Sequence, residues 1–178
     1  MQPLPTVRSC NTREDLANHI DEIHAGLCGF LRDVPEELLF SRAEPEGWTV
    51  AKNIQHIAST NRLMTRWINL PNWIIKLRGK PRQNQRLEEL QPTNRPNLSN
   101  YGKYPEPGRV RPGAREELEK VLLTSAAGLK KAILKRPEAE LDNLPGLFGK
   151  MNLRSFVLFC LKHGVHHAGV ARTRLLQK

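Results

Sequence analysis

The histidines are the residues of this chain whose spacing could support chemistry. Of the six, His163, His166 and His167 lie close together. Residues of an α-helix are about 100° apart, so His163 and His167 are separated by roughly 40° and stack one turn apart on one face. Both fall within the apolar stripe of the helix, which predicts that they face the core. Two imidazoles placed in this way can reach one metal ion.

A third candidate for the same ion is His56. It lies about two turns beyond Thr49, a good helix-capping residue, in the second long helix predicted. Three neutral imidazoles from two helices would bind Zn2+ or Ni2+ at about 2.0–2.1 Å and leave a position open for water or substrate. His166 is about 100° from His167, so we assign it to the rim of the site. A histidine on an apolar face can also be a hydrogen-bonded core residue, and that alternative stays open.

Cys160 and the two remaining histidines have simpler interpretations. Cys160 lies one turn before His163, where it could act as a nucleophile or a soft ligand, but a cysteine in an apolar stripe is more often inert packing. His19 and His24 are roughly 140° apart around a helix and are predicted to be surface or interface residues. The three cysteines form no Cys-x-x-Cys pair, which indicates reduced thiols in a cytoplasmic protein.

Capping residues and apolar periodicity predict four long helices that position these side chains. Residues 136–150 contain proline and glycine and are predicted to form a loop. No stretch has the alternating or β-branched pattern of a strand. The prediction is therefore an all-α fold, a four-helix bundle in a single domain over 1–178. The predicted spans run from Asn11 or Thr12 to Pro35, from Thr49 to about Leu70, over 115–135, and from Asn152 to about Leu176.

The connection between the second and third helices is long, basic and rich in proline. Residues 79–112 are predicted to form a long loop or flap, because unstructured connections of this length in compact domains are usually functional or mobile. Its basic side chains could hold an anionic substrate or thiol cofactor, or they could be solvated charges. The candidates for anion binding are Arg78, Arg82, Arg109 and Arg111.

The composition is that of a soluble globular protein of 178 residues, with 39% hydrophobic side chains. No apolar run approaches the roughly 18 residues needed to span a membrane, and the first residues lack a signal-peptide pattern. Signatures of nucleotide-dependent enzymes and serine hydrolases are absent. The net charge of +10 leaves a second class open, a basic non-enzymatic bundle that binds nucleic acid or an anionic ligand and has structural histidines. The 6% of aromatic residues counts against nucleic acid.

Two motifs resemble the DinB/YfiT-like superfamily of proposed metalloenzymes. Residues 47–57, GWTVAKNIQHI, resemble the Trp–Ser/Thr–Val…His entry to its second helix, and residues 162–170, KHGVHHAGV, resemble its last-helix motif of two histidines separated by three residues. The resemblance in helix order covers nearly the whole chain. It implies that His56, His163 and His167 are the three metal ligands, and that Trp48 packs under the start of the helix.

The resemblance also implies a class of activity. Members of the superfamily include transferases that use low-molecular-weight thiols such as bacillithiol or mycothiol, and a mycothiol-dependent isomerase. A metal in this site would activate a thiol or a water molecule, so we expect a divalent-metal-dependent thiol transferase or hydrolase that uses Zn or Ni. A low-molecular-weight thiol cofactor, a small anionic or thiol-containing substrate and a homodimer are further expectations. The chain departs from many members at Ala168-Gly169-Val170, where they have a Gly-Gln pair.

Overall fold

The computed structural model describes residues 2–41, 48–81, 86–90, 113–148 and 151–176. Within these ranges the fold is all-α as predicted, without a strand, and Pro145 and Asn152 form an isolated β-bridge. The helices are α1 Arg13–Asp33, α2 Val50–Ile68, α3 Asn72–Lys76, α4 Ala114–Lys135, α5 Glu138–Asn143 and α6 Leu153–Leu176, with 3-10 turns at Glu36–Leu38 and Leu87–Glu89.

The predicted capping residues of three long helices are confirmed. Each accepts a hydrogen bond from a backbone N–H of the first turn, which otherwise has no partner within the helix. α2 ends at Ile68, slightly before the predicted Leu70, and Pro71 then occupies the N-cap position of α3. The capping bonds are Thr12 Oγ1 to Asp15 N at 3.1 Å, Thr49 Oγ1 to Lys52 N at 3.0 Å, and Asn152 Oδ1 to Ser155 N at 2.8 Å.

The four long helices form a bundle in which α1 and α2 each pack against α4 and α6. Their apolar stripes meet in one hydrophobic core, which includes Leu16 and Leu27 of α1, Met64 of α2, Leu129 of α4 and Phe156 of α6. The predicted four-helix bundle is therefore confirmed, and it places the helix of His56 beside the helix of His163. No helix in the described ranges is long and apolar enough to cross a membrane.

The loop predicted over 136–150 contains the short helix α5, so that prediction is wrong for Glu138–Asn143. Glu138 and Glu140 lie in its first turn, where the helix dipole favours negative charge. Arg154 of α6 pairs with Glu138 and with Asp142, the latter at 2.7 Å. These ion pairs attach α5 to α6. They depend on Arg154, which lies outside residues 136–150, so the sequence of that stretch alone does not reveal them.

His19 and His24 are buried, with exposed fractions of 2% and 1%, so their prediction as surface or interface residues is wrong. His24 Nε2 accepts a hydrogen bond from Nδ2 of Asn61 at 2.8 Å. His19 Nε2 accepts from the backbone N–H of Arg8 at 3.1 Å, and its Nδ1 donates to the carboxylate of Glu22 at 2.8 Å. Buried imidazoles are stable here because their ring nitrogens have partners.

A close turn positions the start of α6. The N–H of Gly146 donates to the Met151 carbonyl at 2.8 Å, and the N–H of Leu153 donates to the Leu144 carbonyl at 2.9 Å. A Cβ at position 146 would lie 2.6 Å from Cβ of the buried Phe156, which is closer than real Cβ atoms approach. Glycine therefore lets this turn pack onto α6.

Replacement of Gly146 by alanine should lower the free energy of unfolding by about 1–3 kcal/mol, because overpacking displaces a buried neighbour. Gly128→Ala is the matched control. The nearest atoms to its added Cβ, both on Thr65, are 3.9 Å away, so the better helix propensity of alanine should raise the free energy by roughly 0.5–1 kcal/mol. Urea unfolding measures both changes. A Gly146→Ala protein as stable as wild type would contradict the prediction.

Candidate metal centre

His56 of α2 comes together with His163 and His167 of α6. One ring nitrogen of each histidine lies within 4.8 Å of the other two. The ring centroid of His167 is 4.5 Å from that of each other histidine, and the His56 and His163 centroids are 5.3 Å apart. The structure thus brings together the three histidines that the sequence singled out.

The two helices approach each other closely beside these histidines. A Cβ on Gly164 would lie 3.3 Å from Cγ2 of Ile57, a tighter contact than most real Cβ atoms make. Gly164 follows His163 in sequence, and Ile57 follows His56. The small residue therefore allows close packing at the level where imidazoles from α2 and α6 meet.

The distance between His56 Nε2 and His163 Nε2 is 3.1 Å. A neutral imidazole carries one N–H and one lone pair, so at most one of these atoms can donate to the other. Zinc in tetrahedral coordination, with Zn–N bonds of about 2.0–2.1 Å, places two ligand nitrogens roughly 3.3 Å apart, which is close to this separation. His163 Nδ1 is buried and has no hydrogen-bond partner among the described residues. The pair therefore fits a shared cation.

Asn53, one turn before His56 on α2, holds the ring of His167. Asn53 Oδ1 is 2.9 Å from His167 Nδ1, and Asn53 Nδ2 donates to the Thr49 carbonyl at 2.9 Å. The sequence analysis missed this residue. The available signal was a polar side chain on the same helical face as His56, three positions earlier.

Two aromatic side chains flank the cluster. Trp48 stacks on His167 with centroids 5.6 Å apart, and it meets His56 edge to face at 5.2 Å. Phe159 stacks on His163 at 6.2 Å. Trp48 thus lies at the start of α2, where the resemblance placed it, and it also contacts two of the histidines directly.

Burial lowers the pKa of all three histidines. For His56 burial is the cause. The pKa of His163 falls to about 4, through burial first and then through the neighbouring His56 and His166. The pKa of His167 falls to about 2, again mainly through burial, with the adjacent histidines adding to it. All three imidazoles are therefore neutral at pH 7 and can offer a lone pair to a cation.

His166, Cys160 and Arg78, the other predicted site residues that the structure describes, are not part of this cluster. The His166 ring meets that of His167 edge to face, with centroids 5.9 Å apart. Cys160 is buried, and burial raises the pKa of its thiol far above the usual range, so it remains a protonated packing residue. Arg78 donates to the Leu147 carbonyl at 3.0 Å. Arg82, Arg109 and Arg111 lie outside the described residues.

The chemistry of the donors suits a borderline transition metal. Imidazole nitrogens favour ions such as zinc, nickel or copper, whereas Mg2+ and Ca2+ prefer carboxylate and carbonyl oxygens. In the part of the chain that the structure describes, the three histidines are the one group of three or more potential ligand residues that converges. Fold and site define a four-helix bundle with a three-histidine cluster between α2 and α6 that could hold a divalent metal.

The comparison with protein families agrees with this class. The family described as the DinB superfamily matches residues 16–171, from α1 to α6. The chain belongs to the DinB superfamily, which confirms the resemblance seen in its two motifs. Neither the search of curated proteins nor that of solved structures gave a significant match.

The metal-free protein should lose stability as the pH falls below about 6.5. His56, His163 and His167 have a lower pKa in the folded chain than the ordinary 6.5, so the unfolded chain binds their protons first. Their contribution is therefore complete above pH 6.5 and is lost as the pH falls towards the folded values, with a limiting slope of about 1.4 kcal/mol per pH unit for each histidine.

Urea unfolding in EDTA, at several values between about pH 7.5 and 5, measures this slope. Buried His24 also has a lowered pKa and contributes in the same direction, so the informative quantity is a difference between variants. In His163→Leu the free energy of unfolding should depend less steeply on pH, by up to the slope that one bound proton contributes. An unchanged slope in this variant would contradict the assignment of a neutral, buried His163.

Proposed function

We propose that His56, His163 and His167 bind a divalent metal ion, Zn2+ or Ni2+, and that the protein is a metal-dependent enzyme of thiol-transferase or hydrolase type. The observation that supports this most strongly is the convergence of three imidazole nitrogens within 4.8 Å from two helices. Three protein donors are typical of catalytic zinc sites, which keep a position open, whereas structural zinc sites use four. Membership of the DinB superfamily points the same way.

The surrounding residues prepare the site for such chemistry. A divalent ion held by the three histidines would lower the pKa of a water molecule or thiol and so supply a nucleophile at neutral pH. Trp48 stacks on His167 and Phe159 on His163, so a metal here would have apolar rings beside its ligands, where electrostatic interactions are stronger than in water. Asn53 holds the ring of His167 and so limits the freedom of one donor.

A small anionic or thiol-containing substrate fits the charge around the cluster. Lys52 Nζ lies 4.9 Å from the ring centroid of Trp48, which itself contacts two of the histidines, so a positive charge stands beside the site. In thiol transfer, the sulfur forms a bond to an electrophilic carbon, the leaving group departs with the electron pair, and the thiol proton passes to solvent. In hydrolysis, a water oxygen takes the place of the sulfur.

Protein purified without an affinity tag should contain near-stoichiometric zinc or nickel. His56→Ala, His163→Ala and His167→Ala should each lose most of it, because each leaves two imidazoles where three bind. Elemental analysis after gel filtration measures the metal content. His166→Ala is the matched control, since His166 lies on the same helix beside His167 but outside the converging group, and it should retain the metal.

A wild-type protein that is folded but neither contains nor takes up metal would overturn this proposal. The basic surface would then become the better guide to function. The measurement that tests this alternative is the salt dependence of binding to nucleic acid or a polyanion, which is steep when many phosphates are contacted.

The metal-loaded protein should accelerate the displacement of chloride from monochlorobimane by a low-molecular-weight thiol, followed as the rise in fluorescence of the thioether. Cysteine, glutathione, bacillithiol and mycothiol are each tested as the thiol. A parallel assay uses an activated ester as the substrate for hydrolysis. EDTA or His163→Ala should reduce the rate to the uncatalysed value, and added Zn2+ or Ni2+ should restore it in wild type alone. A loaded protein that accelerates none of these reactions would contradict the enzymatic part of the proposal.

A further inference from the structure

Two asparagines of α2 contact histidines on neighbouring helices with opposite atoms of their amides. Asn53 approaches His167 of α6 with its oxygen, and Asn61 approaches His24 of α1 with its nitrogen. Both asparagines are 2% exposed, so their amide atoms depend on protein partners. The difference in polarity decides whether the asparagine engages the lone pair of the ring or leaves it for a ligand.

Asn61 uses both hydrogens of its amide nitrogen. They go to His24 Nε2 at 2.8 Å and to Ser125 Oγ at 3.0 Å. His24 Nδ1 donates to the Ile20 carbonyl at 2.6 Å. Both nitrogens of His24 are therefore engaged, and no lone pair of this ring is left for a ligand.

Asn53 has the reverse orientation, which its second contact fixes. Its Nδ2 donates to the Thr49 carbonyl at 2.9 Å, and rotating the amide by 180° would bring two oxygens together there. Its Oδ1 must therefore be the atom 2.9 Å from His167 Nδ1. An oxygen can only accept, so His167 Nδ1 carries the hydrogen of the neutral ring, and the lone pair is on Nε2.

We propose that Asn53 is a positioning residue that holds His167 as its Nδ1–H tautomer and presents the Nε2 lone pair to the metal, whereas Asn61 withholds His24 from ligation. This inference rests on the proposed function, since it assigns a partner to one proposed ligand. His163 contrasts with His167, because its Nδ1 has no partner among the described residues. The donor atom of His167 is thus set before the metal arrives, whereas no hydrogen bond of the described residues sets that of His163.

Outer partners of metal-binding histidines typically change metal affinity about 10–100-fold when removed. Asn53→Leu has a similar volume but lacks the acceptor, so it should raise the Kd for Zn2+ by about that factor. Asn53→Asp keeps an acceptor for His167 Nδ1–H but places its second oxygen where Asn53 Nδ2 donates to the Thr49 carbonyl, so it should recover part of the affinity. Asn61→Leu is the matched control on the same helix. It should lower the unfolding midpoint, because the buried His24 Nε2 and Ser125 Oγ lose the donor that Asn61 supplies, but it should leave the Kd unchanged.

The experiment combines two measurements. Competition of the apo protein with a chromophoric chelator for Zn2+ gives the Kd of wild type and of the three variants. Long-range 1H–15N NMR of the metal-free wild type gives the tautomer of His167, which should carry its hydrogen on Nδ1.

The outcomes separate this inference from the proposed function. If wild type binds no metal but His167 has its hydrogen on Nδ1, the proposed function fails and the structural assignment to Asn53 stands. If wild-type His167 carries its hydrogen on Nε2, or if Asn53→Leu binds Zn2+ with the wild-type Kd, the positioning role is overturned. The NMR measurement decides the question even if Asn53→Leu does not fold.

Discussion

The close packing of α2 against α6 is the constraint on which the candidate site depends. A Cβ at Gly164 would crowd Ile57, so the helices approach this closely because one of them has no side chain at the point of contact. The same approach brings His56 within 3.1 Å of His163. A larger residue at position 164 would separate the helices at the level of the imidazoles, and the core and the site would change together. The rest of the bundle, with α1 and α4 packed around this pair, keeps α2 and α6 in register.

Two clusters of buried polar groups lie in one apolar core, one around His24 and one formed by His56, His163 and His167. They differ in how the ring nitrogens are stabilised. Around His24, each hydrogen bond has a donor matched to an acceptor, with Asn61 joining α1, α2 and α4. Such a closed network is a structural element. The cluster of His56, His163 and His167 brings together one ring nitrogen from each histidine, and it leaves His163 Nδ1 without a partner among the described residues. Lone pairs that converge repel one another unless a hydrogen or a cation lies between them, so this arrangement favours a cation that several lone pairs can share.

Much of the fold and of the candidate site could be predicted from the sequence, because these features depend on interactions between residues close together in the chain. Thr12, Thr49 and Asn152 act on their own helix turns, and the spacing of His163 and His167 follows from helix geometry alone. The predictions that were wrong concern features that depend on contacts between residues distant in sequence. The helix α5 is attached by ion pairs from Arg154, and the burial of His24 depends on Asn61, whose position beside it is set by tertiary packing. The role of Asn53 was not visible because it depends on which amide atom faces His167.

The chemistry of the donor set also limits what the site can attract. Three neutral imidazoles would leave the full charge of a divalent ion uncompensated, whereas cysteine or carboxylate ligands would neutralise part of it. Burial reinforces this by keeping the histidines neutral, and the aromatic walls of Trp48 and Phe159 provide no negative side chain. The remaining position would therefore favour an anionic ligand such as a thiolate or hydroxide. A positive charge from Lys52 beside Trp48 would act in the same direction, so the imidazole donors and this lysine agree with the kind of nucleophile that the proposed function requires.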